Sequence, residues 1–345
     1  MKRILYLIPR FTTGGAERLV LQYTKYFKDL GFEVAVASVV GGGELINEFE
    51  KLGVEVFVSE KKSLLNWKKL KQFCKDFKPD IIHSHVFSGD MAGFKLRHRA
   101  KWISTQHNVG KEHSCLRRSI LKRILPSANR VITVGKNVED FCVDKMKLRN
   151  TLTIKNGIEV EKWLGVGTGN LFSTDELNLA VIGRLEKQKG HKYLLKALSE
   201  LPDSNYKLHI FGAGSLESSL KYLAKGYGLA DKIIWHGVSK DLLNELKDID
   251  VVIQPSLWEG LSLVIMEVMA AGRLVVTTPA GGDELIDNKK DGLITKLSDL
   301  TKTIKFIFEN KNKIKCLGLS AREKAKSEFI LEKNLKEIGN LYSNL

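Results

Sequence analysis

Three stretches in the second half of the chain set charged residues and glycines where an apolar run ends and an amphipathic one begins. The first is Ile182-Gly183-Arg184-Leu185-Glu186-Lys187-Gln188-Lys189-Gly190. Arg184 can fork onto two phosphate oxygens, and Lys189 adds a point charge at the start of a helix. The glycines let the backbone turn sharply beside an anion. A Walker A loop is excluded, because G-x-x-x-x-G-K-[ST] is missing. A solvated basic loop would have the same composition. The second stretch, Phe211-Gly212-Ala213-Gly214-Ser215, is half of a dinucleotide fingerprint without its third glycine. Gly212 marks a tight strand-to-helix turn suited to holding a nucleotide.

The third stretch runs from Pro255 to Glu267 and contains Glu259-Gly260-Leu261-Ser262-Leu263. A helix beginning near Leu261 leaves the N–H groups of residues 261–263 free for a phosphate. Glu259 then precedes the helix and Glu267 lies nearly two turns inside it, roughly 9–12 Å further along. A nucleoside diphosphate sugar has that layout: hydroxylated sugar, phosphates, ribose. The alternative is that Glu259 caps the helix and Glu267 is a surface acid. Glu267 stands among Val264, Ile265, Val268, Met269 and Ala270, where an acid needs a partner.

These loops need strands to carry them. Apolar runs at 4–8, 34–39, 54–58, 81–85, 102–105, 131–134 and 151–154, separated mostly by helical stretches, predict one doubly wound parallel sheet. A second series follows at 179–182, 207–211, 233–235, 251–254, 274–277 and 292–294, with helices from Leu300 onward. The class is α/β, with two Rossmann-like domains facing across a cleft. Small residues at 165–170 suggest the linker. The expected domains are 1–164 and 165–325. A C-terminal helix at 326–345 packs back on the first domain. With 345 residues, 43% of them hydrophobic, two cores are affordable. The start, Met1 to Arg10, reads as a first strand and not a signal peptide, and no run approaches a membrane span. The four cysteines read as buried thiols in a reducing compartment. The expected location is cytoplasmic, peripheral on the inner face of the membrane.

The order of these features resembles the retaining glycosyltransferases of family 4, which have the GT-B fold. It includes Gly14-Gly15-Ala16-Glu17, Asp80-Ile81-Ile82-His83-Ser84-His85, Thr105-Gln106-His107, Lys155-Asn156-Gly157-Ile158-Glu159, Gly183-Arg184 with Lys189-Gly190, and Phe211 to Gly214. It continues through His236-Gly237-Val238, the E-x7-E element Glu259–Glu267, Ala280 to Glu284 and Asp291-Gly292. The resemblance implies that Arg184 and Lys189 bind the donor diphosphate, with the Gly15, Ser262 and Leu263 amides. It implies that Glu267 holds the ribose, Glu259 and His107 sit by the transferred sugar, and the backbone near Val238 meets the base. It implies that 1–164 binds the acceptor and 165–325 the nucleotide sugar. The departures are Leu261-Ser262, where the family often has Phe-Gly, and Ala280-Gly281-Gly282-Asp283-Glu284, where it usually has Gly-Gly-x-x-Glu, so Glu284 is given no role.

The resemblance implies transfer of a hexosyl or N-acetylhexosaminyl group, with retention, from a nucleotide sugar, UDP favoured over GDP. The fixed cations and helix N-terminus stabilise the leaving diphosphate, so neither cofactor nor metal is expected. One D-x-D, Asp248-Ile249-Asp250, reads as structural because it precedes a buried strand. His83, His85 and His107 could together hold a metal, but no carboxylate or thiolate ligand is evident beside them. His83 and His85 read better as residues packed at a strand end.

The formal charge is +15, and between Lys61 and Arg130 17 Lys and Arg stand against four acids. Within Ser114–Leu125, one helical face carries Leu116, Ile120, Leu121, Ile124 and Leu125, and Arg117, Arg118, Lys122 and Arg123 occupy the rest. That is the pattern of an interfacial helix on anionic lipid, and equally of a helix packed on its own sheet with a basic outer face. The expected acceptor is a lipid-linked glycan or oligosaccharide at an anionic inner-membrane surface, with no nucleic acid partner. The rivals are a sugar-nucleotide epimerase on the same fold and a basic nucleic-acid- or membrane-binding protein without catalysis.

Overall fold

The computed structural model describes residues 2–60, 64–110, 114–168, 171–172, 174–201, 204–239 and 241–345. The chain divides into two compact units. One is Met1–Lys155 with Glu332–Leu345, and the other is Asn156–Leu331.

The first unit carries a seven-stranded parallel sheet. Its strands are β1 (Arg3–Ile8), β2 (Glu33–Ser38), β3 (Glu55–Phe57), β4 (Ile81–His85), β5 (Lys101–Gln106), β6 (Arg130–Thr133) and β7 (Thr151–Thr153), in the order β3-β2-β1-β4-β5-β6-β7. Strands buried on both faces read as continuous apolar runs, and β1 does so: Ile4 to Ile8 are all fully buried. The helix Gly15–Asp29 buries Leu19, Val20, Tyr23, Thr24 and Phe27, one stripe at helical spacing. The last helix, Leu331–Ser343, brings the chain back to this unit. Tyr342 is fully buried, with its ring 4.9 Å from that of Phe27.

The second unit carries six parallel strands: β8 (Leu177–Ile182), β9 (Tyr206–Phe211), β10 (Ile233–Gly237), β11 (Val251–Gln254), β12 (Leu274–Thr277) and β13 (Leu293–Ile294). Their order is β10-β9-β8-β11-β12-β13. Its core gathers Leu177, Leu179 and Val181 of β8 with Leu208, Ile210, Val251 and Ile253 of the flanking strands. Strand order reverses at β8 and β11 here, and at β1 and β4 in the first unit. In open α/β sheets ligands bind outside the carboxyl ends of the strands at such reversals.

The structure differs from the sequence reading at the boundary. Residues 156–164 belong with the second unit. Ile158 bridges Ile330, its N–H donates to the Phe329 carbonyl at 2.8 Å, and the helix Val160–Leu164 packs on the helix Leu263–Ala270. The small-residue stretch after it is tied down. Arg322 donates to the carbonyls of Leu164 and Val166, and fully buried Arg273 to that of Gly167. Residues 169 and 170 of the expected linker lie outside the described residues. Cys74 and Cys142 are buried, but Cys115 and Cys316 are exposed.

Candidate active site

In the second unit, the loops after β8, β9, β10 and β11 interlock. The Gly183 N–H donates to the Phe211 carbonyl at 2.9 Å, that of Gly212 to Gly237 at 2.6 Å, and that of Leu185 to Ala213 at 3.0 Å. Gly212 has φ +133, and a Cβ there would strike the Gly183 carbonyl. Gly190 has φ +69, and a Cβ there would strike the Pro255 carbonyl. Only glycine meets both demands. The loop after β8 is thereby seated against the loop after β11, and Leu257 N–H donates to the Gln188 carbonyl at 2.8 Å.

That seating brings Lys189 and Glu259 together. Lys189 Nζ lies 2.6 Å from Glu259 Oε1, with the two side chains only 13% and 10% exposed. The Ser256 hydroxyl donates to the same oxygen at 2.8 Å, and Gln188 Nε2 to Oε2 at 3.3 Å. Gln188 also donates to the Trp258 carbonyl at 2.9 Å. Arg184 is exposed, and among the described residues its guanidinium makes no hydrogen bond or ion pair. The site therefore holds one fixed ion pair, joining the loops after β8 and β11, and one cation open to solvent, Arg184, on the same loop as Lys189.

The helix expected from Leu261 begins at Leu263 and ends at Ala270. Leu261 is buried in the loop, and Ser262 is the N-cap, with extended backbone (φ −79, ψ 110) and no side-chain cap bond. Leu261 ahead of the apolar run 263–266 hid that start. The N–H groups without an acceptor inside the helix are therefore those of the N-cap Ser262 and of Leu263, Val264 and Ile265. Glu267, half-buried, is one turn above the helix start, among buried Ile265, Met266, Val268 and Met269. Val238 is 59% exposed, one residue past β10. Asp250 precedes β11, and its carboxylate accepts the N–H groups of Phe172 at 2.7 Å and Asn178 at 2.9 Å, as a structural anchor.

In the first unit, Gly15 opens the helix after β1, so its N–H has no acceptor inside that helix. His107 follows β5. Its Nε2 lies 2.9 Å from Nδ1 of His85, the last residue of β4. His83 Nδ1 meets the Tyr342 hydroxyl at 2.6 Å and Nε2 meets the Thr105 hydroxyl at 2.7 Å. Both His83 nitrogens are occupied, and the His85–His107 contact is a direct hydrogen bond, an arrangement unlike three imidazoles converging on one ion. Burial keeps all three neutral, pushing His83 down to about 3, His107 to about 4 and His85 well below the usual histidine value.

The basic helix spans Cys115–Ile124. Leu121, Ile124 and Leu125 are buried, but Leu116 is 70% exposed and Ile120 only half-buried. Arg117, Arg118, Lys122 and Arg123 are exposed, with Arg117 5.3 Å over the Phe87 ring. Half of the expected apolar face packs inward. The other half lines a cavity of about 510 Å³ with Lys122 and Arg123. Among the described residues, no helix is long and apolar enough to cross a membrane.

Sequence reasoning missed Gln188 and Ser256, which hold Glu259. Gln188 is 8% and Ser256 2% exposed. The available signal was their position, each inside a loop already marked by its glycines and charges.

Two family models match the chain in tandem: Glycosyltransferase Family 4 over residues 13–162 and Glycosyl transferases group 1 over residues 169–324. The chain is 26% identical over 319 residues to the UDP-Gal:alpha-D-GlcNAc-diphosphoundecaprenol alpha-1,3-galactosyltransferase of Escherichia coli, covering 84% of this chain and 80% of that one. It is 25% identical over 357 residues to the putative glycosyltransferase EpsD of Bacillus subtilis strain 168, covering 94% and 92%. Among solved structures it superposes on Anabaena HepE in complex with UDP and glucose, with a TM-score of 0.88, 20% identity and full coverage of both chains. That likeness shows the fold. With the two family models spanning nearly its whole length in order, the chain belongs to the glycosyltransferases, its first half a family 4 domain and its second a group 1 domain on the GT-B fold.

Proposed function

We propose that the enzyme moves a hexosyl or N-acetylhexosaminyl group from a UDP-sugar to a hydroxyl of a lipid-linked glycan at the inner face of the membrane, with retention and without a metal. The observation that carries the donor reading is the Lys189–Glu259 pair, 2.6 Å apart at the strand-order reversal of the second sheet. Arg184 and Lys189 take the diphosphate, aided by the Ser262 and Leu263 amides at the helix head. They act as fixed electrostatics on the charge that grows on the leaving group. Glu267 takes the ribose, Gly212 supports the nucleotide, and the backbone at Val238 meets the base. In the first unit, His107 and the Gly15 N–H contact the substrates.

Glu259 already accepts from Lys189, Ser256 and Gln188. A carboxylate so engaged is a poor nucleophile. This favours a same-face substitution, in which the departing phosphate takes the acceptor proton, over a double displacement. No cofactor is required, since the nucleotide sugar is the substrate and two cations and a helix head supply the positive charge.

A lipid-linked acceptor fits the exposed Leu116 beside Arg117, Arg118, Lys122 and Arg123, a face suited to anionic lipid. The Escherichia coli relative is named for a diphosphoundecaprenol-linked substrate. A thermal-shift screen of UDP-, GDP- and ADP-sugars tests the donor, since a specific donor raises the melting point by mass action. A UDP-sugar is expected to give the largest shift, and no shift with any of the three would overturn the reading.

A further inference from the structure

His85 closes β4 opposite Thr105 of β5, fully buried, with its ring stacked on that of His107 at 5.2 Å between centroids. The next residue, Val86, has φ +63. A β-branched side chain in the left-handed region is strained, so the chain holds this turn, and His85 with it, against a local cost. The two rings share one hydrogen bond, His85 Nδ1 to His107 Nε2, 2.9 Å long. Each neutral imidazole carries one proton, so one nitrogen donates and the other accepts.

The remaining His85 nitrogen decides which. Nε2 is buried and, among the described residues, has no hydrogen-bond partner. Were His107 the donor, the His85 proton would sit on Nε2 as a buried N–H with nothing to accept it. Were His85 the donor through Nδ1, Nε2 would be a bare lone pair. Orphaned buried donors are rarer and costlier than under-used acceptors. The His85 proton therefore belongs on Nδ1, and the His107 proton on its own Nδ1. That atom, on a half-buried ring, has no partner among the described residues. His83 cannot substitute for His85 in this role, because Tyr342 and Thr105 occupy both its nitrogens.

We propose that His85 is a positioning residue that fixes His107 in the Nδ1–H tautomer, so that His107 meets the substrate as a hydrogen-bond donor and not as a base. The ligand atom it suits is an oxygen with a free lone pair, a sugar hydroxyl or a phosphate oxygen. This rests on the reading that His107 contacts substrate.

Nitrogen NMR of the full-length protein labelled at histidine reads the tautomers directly, with His107 assigned by loss of its signals in His107→Ala. The expected result is an Nδ1–H tautomer for both His107 and His85. His85→Leu removes the donor, and His107 shifts toward the Nε2–H form. kcat falls about tenfold, as for one lost hydrogen bond, while the donor KM changes little. His85→Asn, whose amide can donate from near the Nδ1 position, recovers most of kcat. An Nε2–H tautomer for His107 in the wild type overturns the proposal, even if His85→Leu does not fold. So does a folded His85→Leu with normal kcat. Unchanged turnover in His107→Ala would instead overturn the substrate-contact reading, and this proposal with it. A large loss there, together with an Nε2–H tautomer, overturns the proposal alone.

Discussion

The Lys189–Glu259 pair offers the sharpest energetic test. At 2.6 Å and low exposure, its Coulomb attraction at an effective dielectric of 20 is roughly 6 kcal/mol. Desolvation of two ions cancels several kcal/mol of this. Removing one partner is a different matter, because the other charge stays buried. Glu259→Gln keeps an acceptor for Ser256 but leaves the Lys189 ammonium without its carboxylate, and is expected to destabilise the second unit by about 3 kcal/mol. Lys189→Met leaves Glu259 with Ser256 and Gln188, so its cost is smaller, about 2 kcal/mol. The double variant should fall well short of the sum, with a coupling of about 2 kcal/mol. Urea unfolding of the four proteins, with and without UDP, gives the cycle. Both single variants should also lose about a hundredfold in kcat/KM for the donor, and the double variant little more. A coupling under about 0.5 kcal/mol, or near-normal turnover in Glu259→Gln, would refute the reasoning.

Arg184→Ala should lower kcat/KM by about a hundredfold yet leave the melting temperature almost unchanged, because its guanidinium has no hydrogen-bond or ion-pair partner among the described residues; a large drop in melting temperature would contradict this. Gly190→Ala imposes φ +69 on a side chain facing the Pro255 carbonyl, and should cost about 3 kcal/mol or more by thermal unfolding. Acid should weaken the first unit. His83 and His107, neutral when folded down to about 3 and about 4, gain protons near 6.5 once unfolded. Between pH 7 and 5 each therefore costs about 2 kcal/mol of stability. His85 acts in the same direction. Buried Asp90, pushed up to about 6, holds its proton more tightly when folded and returns about 1 kcal/mol over that interval. Chemical unfolding across this range should show the net loss, and constant stability would contradict it.

Much of the architecture was legible from the residues because parallel strands buried on both faces read as unbroken apolar runs. All thirteen expected strands are present, most within two residues of their expected ends. The loops that carry Arg184, Lys189 and Glu259 were legible for the same reason: each follows such a run and is marked by glycine. What stayed hidden depends on contacts far apart in sequence. The unit boundary is set by Ile158 meeting Ile330, which local composition does not reveal. The start of the helix at Leu263 was obscured because Leu261 and Ser262 are buried in a loop, so burial mimicked helix periodicity. The His85–His107 bond depends on the β4–β5 register, and the Lys189–Glu259 bond on the seating of Gly190 against Pro255. In both cases the residue types were visible and the pairing was not.

The proposed reaction is sugar transfer from a UDP-sugar to a lipid-linked hydroxyl. Mass spectrometry of a diphosphoundecaprenol-linked acceptor sugar, incubated with the enzyme and each UDP-hexose or UDP-N-acetylhexosamine in the presence of a chelator, tests it most directly. One added sugar from one donor is expected, joined with the donor's own anomeric configuration and lost in Lys189→Met. An epimerised donor with no extended lipid product, or an extended product of inverted configuration, would contradict it.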